Sequence, residues 1–288
     1  MKPAAFSYLR PVSVGDALRQ LADGGPEAKV IAGGQSLGPM MNMRLARPAQ
    51  LIDLNDLTEL ASIRESGDCL RVGALTRHHQ LAESALVRRH CPLLGQAAQT
   101  IGHYAIRQRG TIGGSLAHAD PAAQLPLVAL TLGARVHLRS VTRERTVDAA
   151  RFFVSAMTTT LAADELIEFI EFPKAQPGES AAYRMFNRRH GDYAIIAAAT
   201  TVTVSGGKVA GLRLGLGGAT PVPQSLQALA NAACGRRPDD DWIHDLARGA
   251  ADQLQVEEDH RVSVEYRREL TRTVVTRALG HALAQLKA

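Results

Sequence analysis

The sequence predicts a mixed α+β fold in two parts: a larger N-terminal part and a smaller C-terminal α+β domain made of an antiparallel sheet with helices. Three features point to this. Short β-branched runs alternate with segments of helical period through the first half. In the second half, two long apolar strands are joined by Ser205-Gly206-Gly207, the signature of a hairpin. Between them, "PKAQPGESA" at 173–181 has the proline, glycine and polar content of a linker, which sets the boundary at 176/177. With 288 residues and 45% hydrophobic content, the chain can bury enough surface for two domains.

Taken in order, Ser13-Val-Gly-Asp16 has the spacing of a capping box ahead of Val14, Ala17, Leu18 and Leu21, so a short helix starts there and stops at Gly24-Gly25. "KVIAGG" reads as a brief strand running into a Gly-Gly turn. "LIDLN" (51–55) and "CLRVGAL" (69–75) are further strands. "LAESALVRRHCPLLGQAAQTIG" has helical spacing broken at Pro92. "RGTIGGSLAHADP" (109–121) reads as a loop, and Pro121 to Leu132 as a buried helix. "ARVHLRS" and "ELIEFIEF" alternate as strands do, and the hairpin "AIIAAATTVTV"/"KVAGLRLGLGG" follows the linker. In the last helix Leu270, Val274, Ala278, Leu279, Ala282, Leu283 and Leu286 share one face.

Composition excludes several function classes. No apolar run is long enough to span a bilayer, and "MKPAAFSYLRPVSVGD" lacks the features of an export signal, so a soluble cytoplasmic protein is expected. The net charge of +5 comes mostly from scattered arginines, and aromatics are only 4%, which disfavours nucleic acid as a partner. Cys69, Cys91 and Cys234 are far apart and too few to hold an iron–sulfur cluster, so they read as reduced structural thiols. His78 and His79 are adjacent and diverge on a helix, which argues against a metal pair; Met40, Met41 and Met43 read as packing. His118 near Asp120 imitates a catalytic pair, but no nucleophile motif accompanies it.

Two segments are alike: "IAGGQSL" (31–37) and "TIGGSLA" (111–117) each place Gly-Gly just before Ser. Glycine allows backbone to approach a ligand closely and amides to turn toward an anion, and the hydroxyls of Ser36, Thr111 and Ser115 can add hydrogen bonds. Neither segment fits the spacing of the dinucleotide-fold fingerprint or the P-loop, and "GLGGA" (215–219) fails as well because it ends a hairpin strand. Alone, each pair is an ordinary tight turn. Together, they could close on one dinucleotide.

In their wider context, "IAGGQSLGPMMNMRLARPAQLIDLN" and "RGTIGGSLAHADPAAQLPLVALTLGA", followed by "LAADELIEFIEFP", "RRHGDYAI" and "GLGGATPVP", resemble the FAD-binding medium subunit of the molybdenum hydroxylases. That group includes carbon monoxide, nicotine, quinoline and caffeine dehydrogenases and the flavin domain of xanthine dehydrogenase. The resemblance covers nearly the whole chain. It implies an FAD-binding domain of the PCMH/vanillyl-alcohol-oxidase type over 1–176, with subdomains about 1–55 and 56–176, and a C-terminal domain over 177–288.

The resemblance also implies a site. Ala32, Gly33, Gly34, Gln35 and Ser36, flanked by Lys29, Val30, Ile31 and Leu37, would meet the FAD pyrophosphate from one side. Gly110, Thr111, Ile112, Gly113, Gly114 and Ser115 would meet it from the other. Asp120 and Gln124 match contacts to ribose or ribityl hydroxyls, although an acid is common where Gln124 stands. Ile101, Leu166 and Ile167 match apolar contacts to flavin or adenine. Arg184 matches a basic residue near the flavin, and Tyr193 a residue lying over the isoalloxazine ring, both able to tune it.

The implied role is that of a non-covalent FAD carrier for electron transfer, with no metal site. A small subunit with two [2Fe–2S] clusters would deliver electrons from a large molybdopterin subunit that hydroxylates the substrate, in an (αβγ)2 heterohexamer, with no membrane span. "AGGQSL" and "HADPAA" lean toward N-heteroaromatic substrates, and the missing cysteine-rich insert disfavours the 4-hydroxybenzoyl-CoA reductase branch. The external acceptor, whether quinone, cytochrome, O2 or NAD, stays open. So do two rival readings: a self-sufficient FAD-dependent oxidoreductase of the broader fold group, and a nucleotide-binding scaffold without catalysis.

Overall fold

The first 55 residues build a small parallel sheet. Strand β1 (Ser7–Leu9) leads to helix α1 (Val14–Gly24), strand β2 (Ala28–Ile31), helix α2 (Leu37–Asn42) and strand β3 (Gln50–Asp53). The computed structural model describes residues 2–256 and 262–286. Helix α1 starts as expected: the Ser13 hydroxyl accepts from the Asp16 amide at 3.1 Å, and Asp16 places its negative charge in the first turn. It stops at Gly25, whose φ of 56° favours glycine. The strand order is β1-β3-β2, all parallel, with Tyr8 opposite Leu51 and Val30 opposite Ile52. Ala17, Leu18, Leu21, Ile52 and Leu57 form its core.

A second body follows. It contains β4 (Ile63–Ser66), β5 (Cys69–Gly73), α3 (His78–Glu83), α4 (Ala85–His90), α5 (Pro92–Gln99), α6 (Tyr104–Arg109), α7 (Ile112–His118) and α8 (Gln124–Leu132). The chain continues through β6 (Arg135–Arg139), β7 (Glu144–Asp148), α9 (Ala149–Phe152), β8 (Phe153–Ser155), β9 (Thr158–Thr159) and β10 (Leu166–Pro173). An antiparallel sheet of order β4-β5-β10-β6-β7 carries the helices on its apolar face. Pro92 occupies the first turn of α5, where a missing amide costs nothing, so the helical run breaks there as its sequence requires. A second break at Ser84 comes from its hydroxyl capping α4 through the Val87 amide.

One expectation is corrected here. Residues 109–121 are not a plain loop, because Ile112–His118 form a helix capped by Thr111, whose hydroxyl accepts from the Gly114 amide at 3.1 Å. The Gly113 amide is fixed by the Ala74 carbonyl at 2.8 Å, so a tertiary bond overrides the poor helix propensity of two glycines.

The C-terminal sheet is a meander, β11 (Glu179–Phe186), β12 (Ile196–Ser205), β13 (Lys208–Gly217) and β14 (Gln224–Ser225), followed by α10 (Gln227–Ala232), α11 (Asp240–Gln253) and α12 (Val264–Leu286). Gly206 and Gly207 make its turn with φ of 57° and 73°, the backbone that a two-residue hairpin loop needs. Helix α12 covers one face of this sheet and α11 packs against α12, with Trp242, Leu246, Leu279 and Leu283 in the shared core. Helix α8, from the first half of the chain, packs on the sheet as well. A β-carbon on Gly215 would stand 2.2 Å from Thr131 Oγ1, so the absence of a side chain lets helix and strand touch. Ala181, Tyr183, Ala197 and Ala199 accordingly join the core of the preceding body.

Candidate functional site

The first glycine turn grows directly out of β2. The Asn55 side chain donates to the Ala32 carbonyl at 2.9 Å, Gln35 Nε2 donates to the Gly33 carbonyl at 2.9 Å, and Gly34 adopts φ of 68°. The amides of Gly33, Gly34, Gln35, Ser36 and Leu37 find no acceptor among the described residues. Five consecutive free donors on a half-buried turn are a strong call for an anion, since unpaired buried amides are rare.

The second segment is built differently. Its amides are already engaged: Ile112 to the Thr76 carbonyl at 3.0 Å, Gly113 to Ala74, Gly114 to the Thr111 hydroxyl, and Ser115 to the Thr111 carbonyl at 3.0 Å. Its glycines instead allow close packing. A β-carbon on Gly113 would stand 2.6 Å from that of Ala74, and one on Gly110 would stand 2.6 Å from His78 Cε1. The expectation that both segments offer rows of outward amides holds only for the first.

The two segments meet. A β-carbon on Gly33 would lie 2.1 Å from the Arg109 carbonyl oxygen and 2.9 Å from Gly110 Cα. Both open on one cleft of about 760 Å3, in the upper part of the range for small-molecule sites, roughly 300–1,000 Å3.

Most of the expected residues line this cleft: Lys29 through Leu37, Ile101, Gly110, Thr111, Gly113, Gly114, Ser115, Asp120, Gln124, Leu166, Ile167 and Tyr193. Asp120 is steadied by the Ala122 amide at 2.8 Å, and Gln124 donates to the Thr100 carbonyl at 3.4 Å. Tyr193 comes from the turn between β11 and β12 and reaches across to the Ser36 hydroxyl. Burial and the Asp120 carboxylate push its phenol above the usual value, against the bond to Ser36.

Two expected residues stand elsewhere. Ile112 is fully buried in the core behind the glycines and does not reach the cleft. Arg184 is the larger correction. It bonds the Tyr183 carbonyl at 2.8 Å and lies near His281 of α12, outside the cleft lining. Side chains alternate along a strand, so while Tyr183 and Met185 face the first core, Ala182 and Arg184 face the C-terminal helices. Of the three methionines, Met40 lines the cleft, Met41 is buried and Met43 is 51% exposed.

Sequence reasoning missed several participants. His78 lines the cleft while nine-tenths buried, and neither ring nitrogen makes a well-formed hydrogen bond among the described residues. Burial, together with the charges of Arg77 and Arg107, lowers its pKa to about 4, against a weak opposing effect of the Thr111 backbone. The adjacent histidines drew attention in the sequence only as a metal pair. At the far end, the Glu165 carboxylate has no exposed side-chain surface and bonds Arg145 at 2.7 Å, Arg143 at 2.6 Å and the Ala162 amide at 2.9 Å. Arg145, chiefly, holds its pKa down to about 2. This ties the turn at Leu161–Ala163, which lines the cleft, to β7 and the preceding turn. No signal in the sequence joins these positions.

Comparison with known proteins agrees with the geometry. Residues 4–175 match the family described as the FAD binding domain in molybdopterin dehydrogenase, and residues 181–282 match the CO dehydrogenase flavoprotein C-terminal domain. The chain is 42% identical over 284 residues to subunit alpha of the 6-hydroxypseudooxynicotine dehydrogenase complex of Paenarthrobacter nicotinovorans, covering 98% of this chain and 96% of that one. Among solved structures it is similar to quinoline 2-oxidoreductase from Pseudomonas putida 86, with a TM-score of 0.95, 33% identity and 100% of each chain covered. It is also similar to a carbon monoxide dehydrogenase from Hydrogenophaga pseudoflava, with a TM-score of 0.94, 36% identity and 99% of each chain covered. Full-length identity of this order, two family matches in sequence order and a cleft whose free amides await an anion lead to one assignment: the chain belongs to the family of FAD-binding medium subunits of the molybdenum hydroxylases.

Proposed function

We propose that this chain is the flavin-carrying electron-transfer subunit of a three-chain molybdenum hydroxylase, taking electrons from a [2Fe–2S] partner and delivering them to an external acceptor. The observation that carries the reading is the apposition of Gly33 with Arg109 at the floor of a cleft where five amides are free. FAD, when bound, supplies the redox chemistry, and the protein supplies binding, orientation and electrostatics. The amides of Gly33 to Leu37 would meet the diphosphate, with Thr111 and Ser115 beside them. Asp120 and Gln124 would meet sugar hydroxyls. Ile101, Leu166 and Ile167 provide apolar walls, and Tyr193 limits access at the mouth.

The division of labour fits the cysteines. Cys69, Cys91 and Cys234 are free thiols, and a thiolate-held cluster needs four, so one-electron carriers belong on another chain. A molybdopterin subunit would carry out the hydroxylation, and an (αβγ)2 assembly in the cytoplasm is the reading we favour; no helix among the described residues is long and apolar enough to cross a membrane. We divide the chain into an FAD-binding domain over 1–176 and a C-terminal domain over 177–288. An N-heteroaromatic substrate for the complex is supported by the names of two of the relatives, 6-hydroxypseudooxynicotine dehydrogenase and quinoline 2-oxidoreductase.

The test is to purify the chain with its co-expressed partners, strip the flavin and titrate FAD back. Restored binding, followed by substrate reduction of the flavin only when both partners are present, supports the reading. Bleaching of the flavin by a substrate in the isolated chain would overturn it in favour of a self-sufficient oxidoreductase.

A further inference from the structure

We propose that Arg77, acting through Asn55, is a positioning residue that locks the first glycine turn and the entry to the second, helical glycine segment into one frame for a diphosphate-bridged dinucleotide; the inference rests on reading the cleft as the FAD site. The two segments belong to different bodies, the first to the parallel sheet β1-β3-β2 and the second to the larger body that follows it. Gly33 meets Arg109 backbone to backbone, with no room for a side chain between them. A hydrogen-bonded clip crosses the same seam. Arg77 Nη1 donates to the Arg109 carbonyl, and Nη2 donates to Asn55 Oδ1 at 2.5 Å. Asn55 in turn passes its Nδ2 to the Ala32 carbonyl at 2.9 Å, while the Asp53 carboxylate anchors the Asn55 backbone amide at 2.9 Å.

The clip does more than fasten. In a planar trans peptide the carbonyl and the following N–H point in opposite directions. Holding the Ala32 carbonyl from behind therefore turns the Gly33 amide the other way, at the head of the row of free donors. Arg77 is itself fixed, since its amide donates to Gln80 Oε1 at 2.8 Å and its backbone bridges Thr111. Its guanidinium sets the spacing between the segments and places a positive charge behind both. Burial and neighbouring Arg109 lower its proton affinity without threatening the charge, because a guanidinium stays protonated in proteins. Lysine could supply the charge but not the forked reach to two acceptors.

The clip is tested on the full chain in complex with its co-purifying partners, stripped of flavin and titrated with FAD, with ADP and AMP as competitors. In Arg77→Ala, FAD and ADP binding weaken by about tenfold or more, as expected for losing charge-assisted hydrogen bonds, while AMP, which lacks the diphosphate bridge, changes far less. Arg77→Lys lies between, and Asn55→Ala follows Arg77→Ala. The melting temperature of the flavin-free protein separates frame from stability: a loss of affinity at unchanged melting temperature supports the clip. Wild-type FAD affinity in both Arg77→Ala and Asn55→Ala overturns it, as does an equal loss for ADP and AMP. If Arg77→Ala does not fold, Asn55→Ala and Arg77→Lys decide by the same criteria. A wild-type protein that binds no FAD is a different result, overturning the reading of the site and with it the clip.

Discussion

A β-carbon placed on Gly33 would stand 2.1 Å from the carbonyl oxygen of Arg109, so the first glycine turn touches, backbone to backbone, the stretch that leads into the second glycine segment, remote in sequence. Neither partner can rotate away, because the Arg109 carbonyl is held by Arg77 and the turn by Asn55. Gly33→Ala must therefore pry the two apart. We expect a cost of about 1–3 kcal/mol in stability, typical of overpacking, and loss of bound flavin. Gly114→Ala meets one side-chain atom at 2.9 Å, the Thr111 hydroxyl that caps α7, rather than backbone at 2.1 Å, so its effect is smaller although it weakens that cap. Flavin content by absorption together with melting temperature ranks the two; the reverse order would contradict the apposition.

His78 makes acid stability a readout of the cleft floor. Its pKa is lowered to about 4 by burial, whereas in the unfolded chain it returns to the ordinary value of 6.5. Between those values the unfolded chain binds a proton that the native chain refuses. This contribution to stability is thus complete above 6.5 and is lost as pH falls toward 4. Neither ring nitrogen makes a well-formed hydrogen bond among the described residues, so an apolar replacement forfeits at most the weak contact with the Thr111 backbone. We expect His78→Leu to flatten the decline of melting temperature from pH 7 to pH 5. An acid limb identical to that of the wild type would show that His78 is not the group responsible.

Glu165 secures the opposite end. Its carboxylate is fully buried between Arg143 and Arg145, and its pKa of about 2 lies below the unbound value of 4.5. Here too the folded pKa is the lower one, so the stabilisation is present above pH 4.5 and is lost as pH falls toward 2. Glu165→Gln keeps the shape and leaves two arginines facing a neutral amide. Both arginines are partly solvated, so the cost is expected near 1–3 kcal/mol, below that of breaking a fully buried pair. The same variant loosens the Ala162 turn on the cleft wall. FAD dissociation measured at pH 7 should therefore quicken, and an unchanged rate would separate the turn from the site.

The sequence made legible what local chemistry decides. Ser13 and Asp16 announce α1, Gly206-Gly207 announces the hairpin, and the two Gly-Gly pairs followed closely by serine mark the cleft. What it hid is set by tertiary contact. Thr111–Ser115 looks like a loop by propensity and becomes a helix because Ala74 and Thr76 hold its first amides. Arg184 looks available to a flavin until its strand register turns it toward α12. The clip of Asn55 and Arg77 joins side chains from two sheets, and no periodicity brings those positions together.

The same limit applies where the two halves of the chain join. "GLGG" at 215–218, at the end of β13, looks like a phosphate loop, fails that test because it closes a hairpin strand, and finds its reason in α8: Gly215 would put a β-carbon 2.2 Å from Thr131 Oγ1 and 3.0 Å from Leu127 Cδ1. Thr131 cannot yield cheaply, since its hydroxyl is bonded to the Leu127 carbonyl at 2.8 Å inside a buried helix. Gly215→Ala should lift α8 off the sheet and cost about 1–3 kcal/mol. Removing the obstructing oxygen in Thr131→Ala opens the space that the new methyl needs. The double variant should then recover most of the stability lost, a coupling of at least about 1 kcal/mol in a double-mutant cycle. Because α8 begins at Gln124 in the cleft, Gly215→Ala should also lower flavin retention, and the second substitution should restore it in parallel. Strictly additive losses in the double variant would mean that the helix and the strand are not in the contact described.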